Sequence, residues 1–228
     1  MWRVTSDPFK FQEALDFFLK KVPLTKDQLA STSEEALQRA FFISGVTQAD
    51  MLQDAFDALS KAVEGQLSFK EFQKQFEADF IKAWGNEKNP GHRVEVIFRQ
   101  NIQNAHNAGR EEQLFDADVL KARPYHEFDA IMDDKTSAIC SSLNGVIREA
   151  SDPFWDDHTP ALHFLCRSVK KSLTKKQAER KGITADDELP LTQADAGFGK
   201  KPTLSNWTPD LGKYEPELQK SLKKNLDL

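Results

Sequence analysis

Residues 133–167 constrain this chain more than any other stretch. They hold both cysteines, Cys140 and Cys166, with two of the five histidines, His158 and His163, and one of the four tryptophans, Trp155. Gly145, Pro153 and Pro160 interrupt them, so no long helix can run through. A turn-rich segment of this kind has few backbone ladders to hold it. Its loops must be fixed by aromatic burial and by polar or metal cross-links instead.

The 228 residues are enough to bury a sizeable core, and the formal net charge of -5 excludes a generally basic nucleic-acid coat. Two cysteines cannot form the multi-bridge framework of a small secreted scaffold, which points to a reducing compartment with free or metal-bound thiols. No apolar run reaches the roughly 20 residues that span a bilayer. The start, Met1 to Pro8, lacks a signal-peptide core, so neither membrane insertion nor export is expected.

The first part of the chain repeats one grammar: a capping residue, an amphipathic run, a glycine. Phe9 to Lys21 has a helical pattern after Pro8. Thr25 with Gln28 and Thr32 with Glu35 read as capping boxes, and the second helix is expected to carry Leu37, Ala40, Phe41 and Phe42 inward until Gly45. Thr47 is placed to cap the next helix, with Met51, Leu52, Phe56, Leu59 and Val63 on one face. Ser68 and Glu71 then open a helix carrying Phe72, Phe76, Phe80, Ile81 and Trp84. Together these describe a helical bundle with short connections.

Pro90-Gly91 marks a boundary. From His92 to about Leu120 runs the longest helical pattern, with an amide-rich polar face that includes Arg99, Asn104 and Arg110. Arg123 to Met132 reads as a short strand, Thr136 to Leu143 as one or two helical turns, Gly145 to Arg148 as a returning strand and Leu173 to Arg180 as a last short helix. Beyond Gly182 apolar density falls and prolines and glycines accumulate, so an extended tail is expected, with Phe198, Trp207 and Tyr214 as anchoring aromatics. The expected fold class is α+β. An N-terminal helical region spans 1–89, the long helix and a small mixed domain with short strands span 90–181, and the tail spans 182–228.

Cys140, His158, His163 and Cys166 offer a set suited to structural zinc, because thiolate and imidazole are the ligands that ion prefers. The spacing is not a zinc-finger spacing, and three other readings stay open: two thiols packed in an aromatic core, a Cys140–Cys166 disulfide, or a Cys-His nucleophile. The last pairs Cys166 with His163 or Cys140 with His158, and Asp133 or Asp157 would orient the imidazole. No serine elbow, phosphate-cradling loop or His-Glu-x-x-His helix is present. Asp133 and Thr136 are expected to be structural, the aspartate accepting backbone amides and the threonine capping the next turn. Gly145 is expected in a turn, and Arg167 in a pairing with Asp133, Asp134 or Asp152 that lysine copies poorly.

Two blocks resemble the phage Mu F-like minor head proteins, the head morphogenesis family. One is Asp133-Asp134-Lys135-Thr136, Cys140, Leu143-Asn144-Gly145, Trp155, Pro160, His163 and Cys166-Arg167; the other is Arg93, Glu95, Arg99, Asn104, Gly109 and Arg110. The resemblance covers about residues 24–170 and is strongest over 92–168. Where many relatives carry Cys-Arg-Cys, this chain has Cys166-Arg167-Ser168, so a metal site using that second cysteine must be completed differently. The resemblance implies a non-enzymatic minor capsid protein acting in head morphogenesis near the portal or inside the procapsid. It implies a place in the virion head, and in the host cytoplasm during assembly. Portal, major capsid or scaffold proteins are the partners, and Arg99, Arg110, Trp84 and Trp155 the candidate anchors. Two alternatives remain. A DNA-associated packaging or ejection factor needs a basic face joining Lys170–Lys176 with Lys200 and Lys201, and a hydrolase or toxin-associated domain needs the Cys/His group in an open cleft.

Overall fold

The computed structural model describes residues 11–27, 40–85 and 88–201, with positions 216, 219, 220 and 223. They divide into two units, one of residues up to 106 together with positions 216, 219, 220 and 223, and one of residues 107–201. The expectations for Thr32 to Leu37, Trp207 and Tyr214 lie outside the described residues, as does the Gln28 half of the first capping box.

In the first unit, helix α1 (Gln12–Leu19) precedes a two-stranded parallel pair, β1 (Val22–Pro23) and β2 (Ala40–Phe41). Helices α2 (Ala49–Val63) and α3 (Phe69–Trp84) follow. Ala40 and Phe41 are therefore extended where a helix was expected. Successive side chains of a strand face opposite ways, so Phe41 is 2% exposed while Phe42, expected inward, is 54% exposed. Thr47 does not cap α2; its N-cap is Gln48, with no side-chain hydrogen bond. Ser68 does cap α3: its Oγ accepts from the Glu71 amide, and the Glu71 carboxylate accepts from the Ser68 amide at 2.8 Å. The core is aromatic. Phe18 stacks on Phe56 at 5.1 Å with Phe41 edge-on, and Phe72, Phe76 and Phe80 line α3 against Phe98.

Helix α4 (Pro90–Leu114) begins with proline, whose missing N–H costs nothing in a first turn. It ends at Leu114, earlier than the sequence pattern, because Asp116 caps a separate helix α5 (Ala117–Ala122), its carboxylate accepting from the Asp118 and Val119 amides at 3.0 and 3.1 Å. The polar face is divided: Gln100, Asn107 and Glu111 are each 8% exposed, while Arg99 and Arg110 are exposed.

The second unit is built on a three-stranded antiparallel sheet in the order β4-β3-β5, made of β3 (Tyr125–Asp129), β4 (Ile147–Glu149) and β5 (Val169–Leu173). Tyr125 pairs with Glu149 on one side and Leu173 on the other. The sequence reading missed β5, since Val169-Lys170-Lys171-Ser172-Leu173 alternates too weakly to announce a strand. Short helices α6 (Ala138–Leu143), α7 (Phe154–Asp157) and α8 (Lys175–Lys181) and a 3-10 turn over Asp186–Glu188 complete it. Gly145, at φ 83°, turns the chain from α6 into β4, and its amide donates to the Phe128 carbonyl at 2.8 Å.

Residues 183–201 have no core of their own, yet they lie along this unit. Thr184 bridges to Ile147, Asp195 donates to the Leu162 carbonyl, and Gly199 exchanges backbone hydrogen bonds with Thr159 and Ala161. A side chain at Gly199 would meet the Asp157 carbonyl oxygen at 2.3 Å, so only glycine allows that approach. Among the described residues no helix is long and apolar enough to cross a membrane.

Among the charged and titratable groups buried in the second unit are Glu111, His126, Glu127 and Lys170. Lys170, 2% exposed, donates to Glu111 at 2.6 Å and to Thr159 Oγ1 at 3.3 Å. His126 lies on the central strand between the Phe115 and Trp155 rings, and neither ring nitrogen has a hydrogen-bond partner. Burial, with the positive charges of Lys170 and Lys201, pushes its pKa down to about 3. The unfolded chain takes up a proton that the fold excludes, so stability is lost as pH falls below the ordinary histidine value. Urea unfolding at pH 7 and pH 5 should show His126→Phe sparing about 2 kcal/mol of the acid loss that the native chain suffers. Glu111→Gln, which leaves Lys170 buried without its counter-charge, is expected to cost about 3–5 kcal/mol.

Candidate metal centre

Three donor atoms meet in the second unit: Sγ of Cys140, Sγ of Cys166 and Nε2 of His163, all within 4.8 Å of one another. Two local features bring them together. Ser137 is the N-cap of α6, and its Oγ accepts from the Cys140 amide at 3.1 Å, which sets Cys140 in the first helical turn. Across from it, His163 to Cys166 forms a tight turn in which Leu165 takes a positive φ of 57° and the Cys166 amide donates to the His163 carbonyl at 3.3 Å.

The thiols are unbonded, with Sγ atoms 3.6 Å apart, and are 3% and 2% exposed. His163 Nε2 lies 3.2 Å from Cys140 Sγ. Nδ1 of His163 sits 2.8 Å from the Phe164 carbonyl, to which it can only donate, so Nε2 carries the lone pair. The two thiols lie within hydrogen-bond distance of each other, and either can be the donor. The hydrogen bond from Cys140 holds Cys166 down at about 5 despite its burial, while the same bond and burial push Cys140 up.

This donor set fits a tetrahedral ion. Zinc–ligand lengths near 2.3 Å for sulfur and 2.0–2.1 Å for nitrogen put sulfur pairs about 3.8 Å apart and sulfur–nitrogen pairs about 3.6 Å apart. The separations of 3.6 and 3.2 Å are close to those edges. The Nδ1–carbonyl bond also supplies the outer contact that orients a ligating histidine.

His158 lies outside this group. Its ring stacks on Phe154 at 4.2 Å, and its nitrogens sit 2.9 Å from the carbonyls of Phe154 and Thr192, tying α7 to the segment beyond α8. The carboxylates that a Cys-His nucleophile would use are engaged elsewhere, Asp133 with Arg167 and Asp157 with Lys200. The third partner of His163 is a backbone carbonyl, and both thiols are buried.

Arg167 grips Asp133 through two bonds of 2.7 and 2.5 Å. Asp133 also accepts from the Lys135 amide, and Thr136 Oγ1 accepts from the Asp133 amide at 2.9 Å and donates to the Ile131 carbonyl. This closes the loop one residue before Ser137, so the clamp and the Cys/His donors share one short stretch of chain. The Arg167 guanidinium holds the Asp133 carboxyl well below the usual carboxylate range.

The expected surface anchors fall in different places. Trp155 is 0% exposed; its Nε1–H donates to the Glu149 carbonyl at 3.0 Å, so it is a core residue with no surface to offer. Trp84 lies under the Arg93 guanidinium, 4.1 Å from ring centre to charge, and both donate to the Ser44 carbonyl. Arg99 pairs with Glu95 on an exposed face, and Arg110 is exposed. Four of the six lysines of the supposed basic face sit on carboxylates, Lys170 on Glu111, Lys171 on Asp129, Lys200 on Asp157 and Lys201 on Asp156, and Lys175 lies 4.0 Å from Glu179. These neighbouring carboxylates offset part of the positive charge that a phosphate-binding face would concentrate.

Residues 53–170, just over half of the chain, match the family model described as Phage Mu protein F like protein, and the chain belongs to that family. The match takes in most of α2 and runs through the metal centre to the start of β5. The chain is 26% identical over 181 residues to the "Mu-like prophage FluMu F protein" of Haemophilus influenzae, covering 73% of this chain and 43% of that protein. It is 24% identical over 164 residues to the "Putative capsid assembly protein F" of Escherichia phage Mu, covering 65% of this chain and 37% of that protein. The chain thus spans less than half the length of these relatives. No solved structure matches it.

Lysine cannot reproduce a two-pronged bond to a carboxylate. Arg167→Lys should therefore lower the melting temperature, and Asp133→Asn should do the same at neutral pH. The contribution of the native pair is present above the ordinary aspartate pKa and lost as pH falls through the depressed one, so the Asp133→Asn difference should shrink in acid.

Proposed function

We propose that this chain is a non-enzymatic minor head protein that acts in phage head morphogenesis, near the portal or inside the procapsid, and that a structural zinc ion staples its second unit. The family match across residues 53–170 carries this reading. A relative named for capsid assembly supports it, as does the burial of both thiols of the Cys/His group. The partners in this reading are the portal and the major capsid or scaffold proteins. Arg99 and Arg110, both exposed on α4, are the anchors offered to them. Trp84 serves that surface indirectly, by holding Arg93 in place.

Zinc would be held by Cys140, His163 and Cys166. It would cross-link α6 to the 163–166 turn, two segments otherwise joined near this point by single hydrogen bonds. Lewis-acid polarisation is what zinc can supply chemically; in a buried site of this kind its contribution is folding energy.

Two measurements test the reading. Particles assembled with and without the chain, with cross-linking to portal and major capsid proteins, should show the chain in the head and defective heads in its absence. Normal assembly without particle association defeats the head role. Protein purified without chelator should carry one zinc per chain and melt at a lower temperature after chelation. Cys140→Ser and Cys166→Ser should each abolish the metal content.

A further inference from the structure

We infer that the fourth coordination position of this centre faces the Ser137 hydroxyl, so that an ion there is held by two thiolates, one imidazole and a weak oxygen donor. This rests on the metal reading above and adds to it the identity of the remaining position.

Ser137 Oγ lies 2.8 Å from Nε2 of His163 and also hydrogen-bonds the Cys140 thiol, so it touches two of the three donors at once. Its place is fixed by backbone, because the same oxygen accepts the Cys140 amide as the cap of α6. Nδ1 of His163 donates to the Phe164 carbonyl, so Nε2 is left as an acceptor, within reach of the Ser137 hydroxyl at 2.8 Å and the Cys140 thiol at 3.2 Å. An ion on Nε2 takes that lone pair and frees the hydroxyl oxygen, already beside the donor triangle, to turn toward the metal. Ser168 is the competing hydroxyl. It is 1% exposed, its side chain hydrogen-bonds Cys140 and its backbone hydrogen-bonds Cys166, while Ser137 is the hydroxyl that stands 2.8 Å from His163 Nε2.

A neutral hydroxyl is a poor zinc donor beside thiolate or imidazole, so the native site has the open character of a three-ligand centre. A water or small anion can exchange with the serine at the fourth position. A thiolate at residue 137 would close the tetrahedron with a soft ligand.

The test strips the full-length chain of metal and titrates it with cobalt(II), whose thiolate charge-transfer band grows with the number of coordinated sulfurs. The native chain should bind one cobalt with the band of two thiolates. Ser137→Cys should raise it to that of three and tighten binding by about tenfold or more. Ser168→Cys should leave the band at two. Ser137→Ala, which loses the same helix cap without adding a thiol, should fold and keep two thiolates, and so separates cap loss from coordination. A native chain that takes up no cobalt overturns the metal reading and this inference together. Native uptake with an unchanged band in Ser137→Cys, or a three-thiolate band in Ser168→Cys, overturns this inference alone.

Discussion

Burial of Trp155 is the constraint on which the second unit depends. Its strands are three to five residues long, and none of its short helices exceeds seven. Elements of that size cannot bury enough surface pairwise, so a large side chain must fill the space where several meet. The Trp155 ring packs edge-on against His126 of the central strand and against Phe154, lies 5.1 Å below the Lys170 ammonium, and donates its one proton to the end of β4. Sheet, loop and buried ion pair therefore share one ring. A lysine can be carried into such a core because Glu111 neutralises it and the aromatic faces receive its remaining field.

The first unit was legible in the sequence wherever periodicity and caps agree. Ser68 and Glu71 announce α3, and the phenylalanines at 72, 76 and 80 fall on its buried face as their spacing requires. Legibility failed where local pattern and tertiary pairing compete. Ala40 and Phe41 follow a helical run in sequence but pair with Val22 and Pro23, and β5 exists because β3 offers a free edge. The candidate centre was half legible. Cys140, His163 and Cys166 stood out by chemistry, and Arg167–Asp133 by charge. His158 looked equal to His163 in sequence, because nothing local reveals that its nitrogens face two backbone carbonyls. Ser137 was passed over entirely. A serine before a helix reads as an ordinary cap, and only the turn 26 residues later gives its oxygen a second neighbour.

The centre and the clamp together explain how a loop-rich segment can be rigid without long ladders. The Arg167–Asp133 bond sits about one-third exposed at the rim, where water weakens its electrostatics. The donor triangle sits beneath it, where any polar contact is stronger and any misfit costlier. The same dipeptide, Cys166-Arg167, supplies one partner to each. A displacement of the 163–167 turn is therefore felt at both.

The approach of Gly199 to the Asp157 carbonyl gives the segment beyond α8 a standing that its composition conceals. A fragment cut at Gly182, where the last helix stops, would seem to lose only a polar appendage. It would in fact strip hydrogen-bond partners from Ile147, Arg148, His158, Thr159 and Ala161, and leave the 160s loop without its outer wall. The described part of this unit runs to residue 201, about twenty residues past the end of α8.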